Sequence, residues 1–332
     1  MGDYNSRKQI LERIEAERGS RAILYVTGDR NGLQTQISPE AVDLFVDHLD
    51  AMWPAKKISL VLYTCGGDTA AAWRLINLLR TFCEELEVIV PSKALSAGTL
   101  LSLGANRILM TKQATLGPID PSLHNPMNPQ IPGTQQRAPV SVEAVQGYLD
   151  VIRSELGFLA GWRKAAILQQ LGEKIHPLVL GQIFRSRTQI RNLARELLKH
   201  QEISKRHQDK IISFLCSESG SHDHTINRRE AKALGLRIDK PSEEFYETLR
   251  ELYKDFATEL QLSVPFRPDT ELKGAQTKAY DLIRALIESP ALGAHHFKSK
   301  GTLQMVQVPG PNGVQHQGLE DTRTFEAWEK VA

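Results

Sequence analysis

The sequence predicts an α/β protein in which repeated strand–helix units surround a mainly parallel sheet, followed by a helical and hairpin C-terminal extension. Short apolar runs of strand type alternate with stretches of helical period from residue 21 onward. Gly, Pro, Ser and Asn cluster between them, where turns are needed. With 332 residues, 41% hydrophobic and 24% charged, the chain is long enough for one large core with appendages and too apolar for long disorder.

Residues 1–20 read as a charged helical arm with Ile10, Leu11 and Ile14 on one side. The core is expected over 21–245 and the extension over 246–332. Arg21 to Thr27 is the first strand. Ser38 is the expected N-cap of a helix whose Val42, Phe45, Val46 and Leu49 share a face. Ile58 to Tyr63 is a second strand, ending in Cys65-Gly66-Gly67-Asp68 and leading into a helix with Leu75, Ile76 and Leu79. Leu86 to Val90 is a third, and after a turn Ser96 to Gly104 reads as a short helix of small and apolar residues. Two short strands, 106–111 and 114–116, precede a loop rich in Pro, Asn and Gln over 117–139. Helices are expected from Val142 to about Lys210 and from Asn227 to Leu234, then a strand near Leu236 to Ile238. A further helical stretch should reach about Ser289, and Thr302–Val308 and Val314–Gln317 should flank a hairpin turn.

Bulk electrostatics excludes little but points away from polyanions: the net charge is +2, which gives no reason to expect nucleic acid. Arg187, Arg191, Arg195 and Lys199 recur every four residues and read as a solvated helical stripe. Cys65, Cys83 and Cys216 are odd in number and widely spaced, which suits a reducing compartment and offers no zinc site. The first twenty residues show no signal-peptide pattern, and no long apolar run suggests a membrane span. A cytoplasmic protein is expected. No cofactor is expected either, since neither a GxGxxG fingerprint nor a pyridoxal-lysine context is present.

The residues suited to chemistry stand at the ends of neighbouring strands, where open α/β sheets hold their ligand crevices. Glycines at 66 and 67 let backbone approach a ligand and leave amide N–H groups to donate. Ser96, followed by Ala97 and Gly98, presents a hydroxyl with little steric cover. On spacing alone the same residues also suit a tight turn and an N-cap.

YTCGGD at 63–68, KALSAGT at 93–99, GANRILM at 104–110 and ATLGPIDP at 114–121 together resemble the Clp-peptidase/crotonase superfold in its signal-peptide-peptidase-A branch. LGPIDP, HPLVLG at 176–181 and SHDHTINRREAKALGL at 221–236 are most similar to the serine dehydrogenase proteinase family. The resemblance implies a serine peptidase with Ser96 as nucleophile, the amides of Gly67 and Ala97 as oxyanion donors, a peptide or protein substrate, and a trimeric or hexameric homo-oligomer. It also places Asp223 at the third position of the Clp triad. The usual base positions hold Gly117 or Pro118 for histidine, with His124 a few residues late, and Ala138, Pro139 and Val140 for lysine. His222 is therefore the favoured base, oriented by Asp223 or Asp120, with Lys174 as a Ser-Lys alternative. His222 and His224 as a metal pair lack a further ligand cluster. Two other readings stay open: a silent scaffold or regulatory binder, and a crotonase-type acyl-CoA enzyme using the oxyanion hole alone.

Overall fold

The computed structural model describes residues 2–119, 122–123, 126–131, 133–138, 140–154, 161–218, 224–309 and 315–331. The elements run in the order α1 (Tyr4–Arg18), β1 (Arg21–Thr27), α2 (Ala41–Met52), β2 (Lys57–Tyr63), α3 (Thr69–Phe82), β3 (Glu85–Val90), β4 (Lys93–Ala94), α4 (Ala97–Leu103), β5 (Arg107–Met110) and β6 (Thr115–Leu116). Next come β7 (Ser122–Leu123), β8 (Val140–Ser141), α5 (Val142–Ser154), α6 (Gly161–Lys174), α7 (Pro177–Leu198) and α8 (Lys205–Ser213). The rest comprises β9 (Ile226–Asn227), α9 (Arg228–Leu234), β10 (Ile238–Asp239), α10 (Glu243–Glu259), α11 (Pro268–Glu271), β11 (Thr277–Ser289), β12 (Gly293–Pro309) and β13 (Gln315–Lys330).

The main sheet has the order β10-β5-β3-β2-β1-β11-β12-β13. From β10 to β1 it is parallel, and from β1 to β13 antiparallel. The parallel strands are apolar along almost their whole length because both faces are covered by helices. Alternate residues feed two cores. Ile23 and Tyr25 join α2, α3, α4, α7 and α8 on one face, while Leu24 and Val26 meet α1 and α10 on the other. Ile10, Leu11 and Ile14 are buried there, so the arm is a packed layer of the fold.

The stretch expected to stay helical to Ser289 is strand β11. In TKAYDLIRALIES, Leu282 with Leu286 and Ile283 with Ile287 fit a helical repeat, yet the last five residues are buried and Ala285 to Glu288 pair along β1. Capping an exposed apolar edge outweighs local propensity. The expected domain boundary at 245 falls inside α10. The C-terminal hairpin is longer than the expected 302–317, with β12 and β13 paired from His295 opposite Lys330 to Pro309 opposite Gln315. Ser38 does not cap α2: its carbonyl accepts from the amide of Ala41, its hydroxyl bonds Glu40, and Glu40 holds the cap position without its side chain capping the helix.

Candidate active site

Two chain segments meet where β2 and β4 end. After β2, Thr64 and Ala94 form a parallel bridge, the amide of Leu95 donating to the Thr64 carbonyl at 3.0 Å. The Thr64 hydroxyl accepts from the Gly66 amide at 2.9 Å and from Thr27 Oγ1 at 2.6 Å. This lacing brings the glycine pair against the following turn: a Cβ on Gly66 would stand 2.8 Å from Ser96 Cβ. Gly66 and Gly67 have φ of 116° and 143°, in the region glycine tolerates. Gly98 is equally constrained, because a side chain there would run into Thr64.

Ser96 precedes α4 at φ 51° and ψ −113° and makes no side-chain capping bond. A favoured N-cap residue therefore occupies the cap position without capping. Holding a non-glycine residue in this conformation costs on the order of 1–3 kcal/mol. Ala97, the first helical residue, has an amide with no partner within the helix. Gly67 pairs with Ile37 in a bridge that uses the Gly66 carbonyl and the Asp68 amide, so its own N–H has no backbone partner among the described residues. Asp68 caps α3 by accepting from the Ala71 amide at 2.6 Å.

A second, three-stranded sheet, β4-β6-β9, walls the crevice. Ala94 pairs with Leu116, and Leu116 with Ile226, while Thr99 Oγ1 accepts from the Gly117 amide at 2.9 Å. The result is a pocket of about 270 Å³ lined by Cys65, Leu95, Ser96, Gly117, Pro118, His224 and Thr225. His224 is half-buried, and its Nε2 lies 2.9 Å from Glu230 Oε1.

Beside this pocket is an ion pair. Lys93 Nζ meets Asp29 Oδ2 at 2.5 Å, and Tyr63 donates to Asp29 Oδ1 at 2.8 Å. Burial works against the Asp29 charge, yet hydrogen bonds from Lys93 and Tyr63 hold its carboxyl below the usual range. Burial likewise opposes the Lys93 charge, and Asp29 outweighs it, raising the ammonium. The lysine nearest Ser96 in sequence is thus kept protonated and is no candidate base. Burial also raises the Cys65 thiol.

Among the expected residues, Ser96, Gly67 and Ala97 lie in these two adjoining segments. Lys174 is exposed at the last turn of α6. His222, Asp223, Asp120 and His124 lie outside the described residues. Among the described residues, Glu259, Glu288 and His296 bring ligand atoms within 4.8 Å of one another. They lie elsewhere, around Arg7, whose guanidinium holds Glu288 at 2.6 and 2.8 Å and Glu259 at 2.6 Å. A cation already occupies those carboxylates, so the cluster is an ion-pair core. Sequence reading passed over Arg7 because its partners are more than 240 residues away.

The uncharacterized proteins MJ0137 and MJ1495 of Methanocaldococcus jannaschii are similar to this chain. The first is 33% identical over 60% of this chain and 59% of its own length. The second is 26% identical over 59% and 56%. The chain thus spans less than two thirds of these relatives. A solved structure of the 1510-N membrane-bound stomatin-specific protease, in mutant form, aligns at 16% identity and a TM-score of 0.39, covering 69% of this chain and 84% of that one. No helix among the described residues is long and apolar enough to cross a membrane. Residues 3–143, the segment holding β1 to β8, the glycine pair and Ser96, match the ClpP-like SDH-type serine proteinases, and over that segment the resemblance read from the motifs holds, its ClpP-like α/β fold included.

Proposed function

We propose that the protein is a serine peptidase that cleaves peptide bonds through an acyl-enzyme on Ser96. The observation that carries this reading is a strained serine with a non-capping hydroxyl, set beside the glycine pair. Ser96 Oγ attacks the scissile carbonyl carbon while its proton passes to a base. The carbonyl oxygen, now negative, is held by the Gly67 and Ala97 amides, which neither the helix nor the Ile37 bridge consumes. Collapse breaks the C–N bond and the base returns the proton to the leaving amine. Water then repeats the attack on the ester and frees Ser96.

The test is labelling by a fluorophosphonate, which phosphonylates an activated serine. Labelling should be complete in the parent chain and absent in Ser96→Ala with the fold unchanged. A parent chain that fails to label would favour the non-catalytic binder. His222, Asp223 and Lys174 enter the same assay as candidate proton carriers. The proposal extends to a trimeric or hexameric assembly in a reducing cytoplasm, the three free cysteines being compatible with it. A monomeric mass by light scattering would remove the assembly part.

A further inference from the structure

We infer that His224, held by Glu230, is the general base for Ser96. This rests on Ser96 being the nucleophile, as proposed above. Ala94, Leu116 and Ile226 form one paired row across β4, β6 and β9. Ser96, Pro118 and His224 each stand two residues along from that row, on the same side, and all three line one pocket. The ladder that places Pro118 and His224 is thus the one that places the serine turn.

The imidazole is oriented from behind. Its Nε2 lies 2.9 Å from Glu230 Oε1, and a carboxylate accepts, so Nε2 carries the hydrogen and a neutral ring has its lone pair on Nδ1. Nδ1 has no hydrogen-bond partner among the described residues. Phe214 packs edge-on against the ring, the centroids 5.7 Å apart and the planes at 75°. Glu230 is itself fixed by local chemistry. Asn227 caps α9, its Oδ1 accepting from the amides of Arg229 and Glu230 at 2.9 and 3.1 Å. In a capping box the glutamate at this third position reaches back to the cap amide; here it takes the histidine ahead of the cap.

Chemically, the Ser96 hydroxyl proton moves to Nδ1 as Oγ bonds the carbonyl carbon. Glu230 steadies the imidazolium, which then protonates the departing amine. In the second half Nδ1 takes a proton from water and returns it to Ser96. Glu230 is a positioning residue.

The test measures fluorophosphonate labelling rate and peptide turnover in the full chain. His224→Ala should slow both by about 10²–10⁴-fold, and His224→Gln, which keeps bulk and polarity, should be slowed alike with an unchanged melting temperature. Added imidazole should restore labelling to His224→Gly, which a structural defect would not permit. Glu230→Gln should be impaired and Glu230→Asp should recover part of the loss. If His224→Gln keeps parental rates while His222→Ala, His124→Ala or Lys174→Ala loses them, the assignment is overturned and the Ser96 reading stands. If Ser96→Ala labels like the parent, that reading fails first.

Discussion

Two groups of polar side chains in this molecule are built on opposite terms. Around Arg7, elements α1, α10, β11 and β12 converge on a single buried guanidinium, which meets Asp255 at 2.7 Å and grips Glu288 through both Nε and Nη2. His296 adds a bond to Glu288 at 2.9 Å, and Arg7 and Glu288 are fully buried. Almost every polar valence is spent inside the cluster. Around Ser96 the reverse holds: the hydroxyl does not cap, the Gly67 and Ala97 amides lack backbone partners among the described residues, and the backbone is held in an unfavourable conformation. Burial explains why the first group must be paired. The second carries cost without internal return, which is what a site awaiting a ligand looks like.

This contrast predicts a double dissociation between stability and reactivity. The largest effect on folding belongs to Arg7→Met, which leaves three carboxylates facing one another without a cation. It should cost about 3–5 kcal/mol in urea denaturation, with the fluorophosphonate reactivity of the folded fraction unchanged. A variant that folds normally but loses labelling would merge the two regions functionally. Smaller and opposite in sign, Ser96→Gly should gain about 1 kcal/mol, because glycine accepts φ 51° without strain even after its greater unfolded-state entropy is counted, while labelling disappears. A loss of stability would mean the turn is held by a contact of the side chain.

A third effect is a pH dependence. His48 is buried beside Ser289 at 2.7 Å and His295 at 3.0 Å. Burial first, then the neighbouring His295, pushes its pKa down from 6.5 to about 3, and burial lowers His295 as well. The unfolded chain therefore gains protons before the folded one does, so this contribution is intact above about pH 6.5 and is lost as pH falls toward 3. Glu288, held low by Arg7 against the effect of burial, loses stabilisation in acid in the same direction, whereas Asp255 and Glu259, raised by burial, act the other way. Comparing His48→Asn with the parent isolates the histidine: the variant's unfolding free energy should fall less steeply between pH 6.5 and 4. Parallel curves would show that His48 does not titrate on unfolding.

The parallel half of the molecule was legible in the sequence because strands buried on both faces must be almost continuously apolar, as 22–26 and 60–63 are. Ser96 and the glycine pair were legible as strand-end residues for the same reason. β11 was not, since its leucines and isoleucines satisfy both periods and only the open edge of β1 decides between them. Nor was the His224–Glu230 pair singled out. Its signal was present as a cap asparagine followed three residues later by glutamate, with a histidine just ahead, but choosing that histidine over its neighbour requires knowing how β9 lies against β6.

The union of β1 with β11 also sets a schedule for synthesis. Leu24 pairs opposite Glu288, and Thr27 opposite Ala285, so the partner of an early strand is made about 260 residues later. At roughly 5–20 residues per second, a ribosome needs on the order of 13–50 s to deliver it. Throughout that interval the β1 edge, apolar from Ala22 to Val26, stands unpaired and open to any other nascent chain. Yield in a cell is therefore governed by how well that edge is shielded, by chaperone or by translation speed, before the last strands arrive.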